Sequence, residues 1–419
     1  MVVDLSVEFM GIKFKNPFLL ASVPAATPEG FAKAAIAGWG GGIIWGGSEH
    51  HPLSFARGYI PRDIVRIGKP PQWWAYENTL CYRDPISYQH GEYKHPPDMV
   101  EAAVRKAKDS GIPVGCTIAE GKKVSSWANN ALAADRGGAD FIELNMSGPW
   151  LPGVGLSVGV HQDIMTDIVQ AVRKASRLPV MVKLNASLQR DVLAESARAA
   201  VKAGANAISI TNTFAGIIGV DVETGMPLAC EMDINGKLRG IIGGISGPAI
   251  KPMGLRGVAE VRKAVDVPIS GIGGITDWES AVEYMLLGAS TVQIGTAAML
   301  YGHRLIKEML KGLSGYMERK GYTNLKDFVG MTSQKYAVGE AWAAPAQKQP
   351  RRMVVDEAIC TGCGSCLIAC DASSSGSEAI RVVNKVARIN PERCHTCNAC
   401  RIVCPEMAIS VEWYPEYRT

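Results

Sequence analysis

The chain has 419 residues, of which 47 % are hydrophobic and 20 % charged, with 45 Gly and 23 Pro. At roughly 150 residues per domain this is two or three folded domains, and the composition excludes disorder and coiled coil. The 44 basic and 40 acidic residues leave a net charge of only +4 and are scattered along the chain, so nucleic acid is not an expected partner.

The N-terminus MVVDLSVEFM lacks a basic segment followed by an apolar one, and no run of 18 apolar residues occurs. Neither export nor a membrane span is expected, and a cytoplasmic location follows. In chain order the first element is DLSVEFMGIKFKNPF, two alternating runs around a Gly, which predicts a hairpin capping one end of a barrel. Short apolar runs alternating with longer amphipathic stretches then predict eight βα units. Their strands are FLLASV (18–23), GGIIWGG (41–47), PVGCTIA (113–119), FIELNMS (141–147), PVMVKLN (179–185), AISITNT (207–213), PISGIGG (268–274) and TVQIGTA (291–297). Eight units over this length indicate a (β/α)8 TIM barrel, with a doubly wound open sheet as the rival. Polar residues and glycines gather at the strand C-termini, where the catalytic face of such a barrel lies: Asn145, Ser147, Lys183, Asn185, Asn212, Thr213, Gly273, Gly274, Gly295 and Thr296. Two long interruptions, 48–97 and 214–253, belong to the same rim and suit a substrate pocket, a lid or an interface. The barrel with its hairpin is expected over residues 1–342, a Pro-punctuated basic linker over 343–352, and a second domain over 353–419.

Eight of the eleven cysteines fall between Cys360 and Cys404. In a large chain without a leader, clustered thiols point to metal rather than to disulfides. The spacing is Cys360-x2-Cys363-x2-Cys366-x3-Cys370, repeated as Cys394-x2-Cys397-x2-Cys400-x3-Cys404 and followed by Pro405. This is a duplicated ferredoxin pattern, in which the fourth Cys of each run ligates the other cluster. Two [4Fe–4S] clusters are therefore expected, one on Cys360, Cys363, Cys366 and Cys404, the other on Cys394, Cys397, Cys400 and Cys370. A pair of structural zinc ions is the alternative.

No GxGxxG follows a strand and no P-loop occurs, so a dinucleotide site is not expected in this chain. Glycines at the ends of strands seven and eight suit a phosphate held by backbone N–H groups, or simple close packing. Lys183, projecting from a barrel strand, needs an anion. The N1–C2=O edge of a reduced flavin supplies one, and an internal salt bridge is the other possibility.

Taken together, DLSVEFMGIKFKNPF, FIELNMSGP, ITNT, SGPAIKPMGLR (246–256), ISGIGGI and the double ferredoxin run resemble the flavin–iron–sulfur subunits of dihydropyrimidine dehydrogenases, relatives of the dihydroorotate dehydrogenases. The resemblance implies FMN on the barrel, with Lys183 at the flavin ring, Ala21 and Ser22 beside it, and Asn145, Thr211 and Asn212 near flavin and substrate. Ser246, Gly247, Gly273, Gly274, Gly295 and Thr296 would take the phosphate and ribityl end. A pyrimidine would meet Asn78, Asn145, Asn212 and Thr213.

The chain departs from that family at one decisive position. The family motif Asn-x-Ser-Cys-Pro carries a Cys that protonates the substrate, and this chain reads Asn145-Met146-Ser147-Gly148-Pro149. Trp45 replaces an expected Lys, and Leu80 an expected acid. Candidates for the missing acid are Ser147, Ser157, His161, Glu120, Cys81 and Tyr82. Trp73, Trp74 and Trp150 could stack on a planar ring or pack within the rim loops.

The expected function is an FMN- and iron–sulfur-dependent oxidoreductase acting across a ring C=C next to a carbonyl or amide, with Ser147, Asn145 and Asn212 as its catalytic side chains. Its substrate would be a small cyclic molecule, and its electrons would come from a separate FAD- and NAD(P)H-binding flavoprotein subunit. An oligomer is expected. The alternatives are a reductase of a larger aromatic or heteroaromatic ring, or an electron-transfer subunit with no substrate of its own.

Overall fold

The computed structural model describes residues 3–22, 26–45, 65–67, 79–82, 97–149, 155–217, 219–227, 230–232, 236–240, 242–336, 350–370 and 378–417. The chain divides into two units, Met1–Tyr336 and Ala337–Thr419.

The first unit opens with an antiparallel hairpin, β1 (Val7–Phe9) and β2 (Ile12–Phe14). It continues with β3 (Phe18–Leu20), α1 (Pro28–Ala37), β4 (Gly41–Trp45), β5 (Val65–Ile67), β6 (Thr79–Tyr82), α2 (Pro97–Lys108), β7 (Val114–Ile118), α3 (Val124–Gly137) and β8 (Phe141–Asn145). Next come α4 (Leu156–Gly159), α5 (Gln162–Ala175), β9 (Val180–Leu184), α6 (Arg190–Lys202), β10 (Ala207–Ile210), β11 (Phe214–Gly216), β12 (Cys230–Met232), β13 (Leu238–Gly240) and β14 (Gly243–Ser246). The unit ends with α7 (Lys251–Ala264), β15 (Ile269–Ile272), α8 (Trp278–Leu286), β16 (Ala289–Ile294), α9 (Thr296–Tyr301) and α10 (Leu305–Lys320).

Strands β3, β4, β7, β8, β9, β10, β15 and β16 close into one barrel, all parallel. This is the TIM barrel, and the open-sheet rival is excluded. Every residue of β7, β8 and β9 is buried. Strands covered on both faces read as continuous apolar runs rather than as alternation, which is why they stood out in the sequence.

The helices begin and end on local chemistry. Thr27 caps α1 by accepting from Gly30 N, Pro28 opens the helix, and Gly38 closes it in the left-handed region. Asp277 and Ser280 form a reciprocal capping box on α8.

The hairpin plugs the N-terminal end of the barrel. Phe9 and Phe14 bury completely against Leu19, Ile43, Phe141, Met181 and Ala207, with the Phe14 and Phe141 rings edge to face at 6.3 Å.

At the opposite end the two long interruptions fold together. Their strands make a four-stranded sheet in the order β11-β14-β6-β5, with Ile245 opposite Cys81 and Ser246 opposite Leu80.

In the second unit, β17 (Arg351–Val355) pairs with β20 (Ile409–Trp413), and β18 (Ile380–Val383) with β19 (Val386–Ile389). Two four-residue helices, α11 (Ser365–Ile368) and α12 (Ala399–Ile402), carry the third cysteine of each run, Cys366 and Cys400. Among the described residues no helix is long and apolar enough to cross a membrane.

Candidate active site and iron–sulfur module

Side chains two residues apart on a strand share a face, so the barrel interior builds up in layers along β8, β9 and β10. Phe141, Met181 and Ala207 belong to the apolar plug. Two residues further on stand Glu143, Lys183 and Ser209, and two beyond those Asn145, Asn185 and Thr211. The barrel thus passes from an apolar floor through a charged middle layer to an amide-bearing rim.

The middle layer centres on Glu143, whose side chain is fully buried. Its Oε1 accepts from Thr117 Oγ1 at 3.3 Å, Ser22 Oγ at 3.5 Å and Lys183 Nζ at 3.5 Å. Its Oε2 accepts from Ser209 Oγ at 2.9 Å and Gln293 Nε2 at 3.0 Å. Gln293 also donates to Ser270, which accepts from Thr291. A buried carboxylate is tolerable only when paired and hydrogen-bonded, and five donors meet that requirement. The salt bridge foreseen as an alternative for Lys183 is therefore present, and Lys183 still stands one layer below the rim. Sequence reasoning passed over Glu143. Its signal was an acid inside an otherwise apolar strand, two residues before Asn145.

At the rim, Asn145 Oδ1 accepts from Ser147 Oγ at 2.7 Å and Asn212 Nδ2 at 3.2 Å. Asn212 Nδ2 also donates to Ser147 Oγ at 3.0 Å, and its Oδ1 accepts from Thr213 N at 2.7 Å. Ser147 and Asn212 are thus occupied in orienting Asn145. Among the described residues no acceptor lies within hydrogen-bonding distance of Asn145 Nδ2, so this amide has both N–H groups available for a ligand.

Asn185, fully buried, ties three loops together. Its Nδ2 donates to Ser147 O at 2.7 Å and Thr213 O at 2.9 Å, while its Oδ1 accepts from Ser187 N at 2.8 Å. The Thr211 hydroxyl accepts from Ala186 N and donates to Asn185 Oδ1. Through these two bonds it braces the loop after β9.

The residues expected at a phosphate come together from three segments. Ser246 Oγ accepts from Thr296 Oγ1 at 2.8 Å. A Cβ at Gly274 would stand 2.8 Å from Gly247 O and 2.8 Å from Lys251 Cβ, and Gly273, Gly274 and Gly247 have φ of +123°, +67° and +90°. Glycine is needed here for both conformation and space. Tyr284 braces the turn from beneath, donating to Gly273 O at 2.7 Å, and burial raises its phenol above the ordinary range. Gly295 and Thr296 begin the adjoining helix α9. Ala21 follows β3, its N–H donating to Ile294 O at 3.1 Å, with Ser22 next to it. A left-handed glycine cradle, paired hydroxyls and a buried ammonium form a donor set that fits a phosphate-bearing flavin.

Of the acid candidates, Ser147 has its proton committed to Asn145. His161 is exposed at the start of α5, and Ser157 lies on α4. Glu120 is buried and accepts from Asn130 Nδ2 at 2.6 Å. Cys81 and Tyr82 lie on β6 of the rim sheet. Among the described residues, a Cβ built at Gly148 meets nothing within 4 Å. Asn78, Trp73, Trp74 and Trp150 lie outside the described residues, as does the side chain of Trp45. Cys116 is an inert strand thiol, pushed up to about 12 by burial.

In the second unit the cysteines sort into two cavities. Cys360, Cys363, Cys366 and Cys404 line one, and Cys370, Cys394, Cys397 and Cys400 line the other. Each cavity thus draws three cysteines from one run and the fourth from the other. The backbone does the sorting. Two and four residues after the first Cys of each run, Gly362 and Gly364 in the first and Thr396 and Asn398 in the second all have positive φ. Such turns aim successive N–H groups inward at an anion. N–H groups already point at sulfur, from Ala387 to Cys360, Thr396 to Cys394 and Ala408 to Cys404, at 3.3–3.5 Å. Desolvation pushes the Cys366 and Cys394 thiols up, and Cys400 to about 11, so their deprotonation is linked to metal binding. Four cysteines line each cavity, a donor set that fits an iron–sulfur cluster.

Comparison with known proteins agrees with this geometry. The family described as dihydroorotate dehydrogenase matches residues 97–317, and the family described as 4Fe-4S dicluster domain matches 352–405. The chain is 33 % identical to the NAD-dependent dihydropyrimidine dehydrogenase subunit PreA of Escherichia coli K12, over 88 % of this chain and 85 % of that one. It is 33 % identical to the catalytic subunit of dihydroorotate dehydrogenase B (NAD(+)) of Pyrococcus abyssi, over 78 % of this chain and 98 % of that one. The crystal structure of Eimeria tenella DHODH in complex with ferulenol shares the fold, with a TM-score of 0.57 at 20 % identity over 78 % of this chain and 88 % of that one. The chain is a flavin-type oxidoreductase of the dihydroorotate dehydrogenase family, with a 4Fe-4S dicluster domain following its barrel.

Proposed function

We propose that this chain is the FMN- and 2[4Fe–4S]-bearing subunit of a cytoplasmic, oligomeric oxidoreductase that works across a ring C=C or CH–CH bond next to a carbonyl or amide. The observation that carries the proposal is the rim amide of Asn145, oriented by Ser147 and Asn212, one layer above Lys183, its N–H groups meeting no acceptor among the described residues.

FMN bound at this rim supplies hydride chemistry, and the clusters carry single electrons. Ser246, Gly247, Gly273, Gly274, Gly295 and Thr296 would hold its phosphate and ribityl end, with Lys183, Ala21 and Ser22 at its ring. Asn145 Nδ2 donates to the substrate's carbonyl or amide oxygen and stabilises negative charge that develops there. Ser147 and Asn212 keep the Asn145 oxygen turned away from that oxygen, so that only donors face it. Asn185 fixes the loops that carry all three.

The relative from Escherichia coli is named as a subunit of an NAD-dependent enzyme, which supports a separate FAD- and NAD(P)H-binding flavoprotein as the electron partner. Glycine at the position of the family's acid, with no described residue within 4 Å of a Cβ there, favours a ring that differs from uracil or is larger.

Purified protein, reduced anaerobically and offered uracil, dihydrouracil precursors and larger heteroaromatic amides in turn, should show flavin reoxidation by a cyclic amide. Reoxidation by a flavoprotein partner alone, with none by any ring compound, would reassign the chain as an electron-transfer subunit.

A further inference from the structure

The middle layer holds a full ion pair whose acidic member has no part in the chemistry above. Lys183 Nζ and Ser22 Oγ, both assigned to the flavin ring, each reach Glu143 Oε1 at 3.5 Å. The other carboxylate oxygen is held from the opposite side by Ser209 and Gln293. Gln293 Oε1 is itself buried without a partner, so its amide has been turned to give Glu143 the N–H at the expense of its own oxygen. The Lys183 side chain is 5 % exposed and that of Glu143 0 %, so solvent screens this pair weakly.

We propose that Glu143 is a positioning residue. It is a buried counter-ion that aims Lys183 at the ring site and, by partly cancelling its charge, sets how strongly that site favours the reduced over the oxidised cofactor. This rests on the flavin reading above.

The sign of the effect separates electrostatics from scaffolding. Glu143→Gln keeps the size and an acceptor oxygen but removes the negative charge. Lys183 then acts uncompensated, and the reduced, more anionic cofactor gains. A merely structural Glu143 would instead release Lys183 and weaken binding of the reduced form.

The test is spectroscopic titration of the full-length holoprotein's flavin midpoint potential, with FMN content and thermal melting measured in parallel, for wild type, Glu143→Gln and Glu143→Asp. Glu143→Gln should raise the reduced-to-oxidised affinity ratio at least tenfold, equivalent to about 30 mV for a two-electron couple. Glu143→Asp, which retains the anion, should stay nearer the wild-type value. An unchanged or lowered potential in Glu143→Gln overturns the proposal, and so does loss of FMN and of melting temperature in both variants, which would mark a structural residue. A wild-type protein that purifies with another flavin or none refutes the FMN reading itself, whatever the variants do.

Discussion

Asn185 offers a test of the rim in which pH reports the geometry. Asn185→Asp changes one atom, leaving Oδ1 to accept from Ser187 N while replacing the N–H2 group that donates to Ser147 O at 2.7 Å and Thr213 O at 2.9 Å. As an anion the new side chain would place an oxygen against two carbonyl oxygens in a fully buried site. It therefore takes up a proton, which restores one of the two lost bonds. Losing one net hydrogen bond and leaving one buried carbonyl unpaired costs about 1.5–4 kcal/mol even when protonated. The folded-state pKa of the new carboxyl is raised above its unfolded value of about 3.9, by up to about 3–5 units for full burial. A raised folded pKa means that the stability is fully present below the unfolded pKa and is lost as pH rises through the folded one. The variant should thus lose about 1.4 kcal/mol per pH unit between those limits. Urea unfolding at pH 6.0, 6.75 and 7.5, with wild type run alongside so that the iron–sulfur module's own pH response subtracts, should give a denaturation midpoint that falls with pH in the variant alone. A variant as stable as wild type, or one whose deficit does not change with pH, would refute the assignment of Asn185 as the donor that ties these loops.

Three further outcomes follow from the same geometry. Cys404→Ser should damage the cluster whose other ligands are Cys360, Cys363 and Cys366, because these four line one cavity; EPR of the reduced protein should show the second cluster intact. Gly274→Ala should lower FMN retention at least tenfold in dialysis, since a side chain at φ +67° and 2.8 Å from Gly247 O forces the turn open at a cost of about 1–3 kcal/mol. Lys183→Met should lower the flavin potential and weaken binding of the reduced cofactor, one charge contact being worth on the order of 1–4 kcal/mol at effective dielectrics of about 80 to 20; redox titration of the holoprotein reads it directly.

The barrel was legible because strands buried on both faces need unbroken apolar runs, and the ferredoxin ligands because their order along the chain dictates which sulfurs meet. Rim residues were legible as polar side chains at the ends of such runs. What each does there was not, because a role depends on partners from distant segments. Asn185 and Thr211 look like ligand-facing residues in sequence, yet their bonds run to neighbouring loops. Glu143 gave no motif at all, since its five donors come from segments scattered between Ser22 and Gln293. The rim sheet stayed hidden for a related reason. Its pairing of Thr79–Tyr82 with Gly243–Ser246 joins strands too short to announce themselves and too far apart to suggest each other.

The position of the missing acid gives the last prediction. On the proposed reaction a proton must reach the ring carbon next to the one that takes hydride. Ser147 has its own proton on Asn145, His161 is exposed at a helix start, and Cys116 is a strand thiol held protonated by burial. Gly148 stands where the family motif carries the acid, its φ lies outside the left-handed region, and among the described residues a Cβ there meets nothing within 4 Å. Gly148→Cys should therefore meet no clash among the described residues and no backbone strain, and it adds a thiol three residues after Asn145. Positioned general acids contribute about 10²–10⁴-fold, so uracil reduction, slow in wild type, should rise by up to that factor. It should also fall again at alkaline pH as the thiol, ordinarily near pKa 8.5, deprotonates. The same substitution should slow turnover of any larger ring that the glycine admits, since the side chain takes up space. Stopped-flow reoxidation of the reduced flavin by uracil across pH 6 to 9 measures both effects. If wild type already reduces uracil at ordinary enzymatic rates of about 1–10³ s⁻¹, or if Gly148→Cys gains nothing and shows no alkaline limb, then the proton arrives by another route. Buried Glu120, hydrogen-bonded to Asn130 at 2.6 Å, is then the next carboxyl to replace.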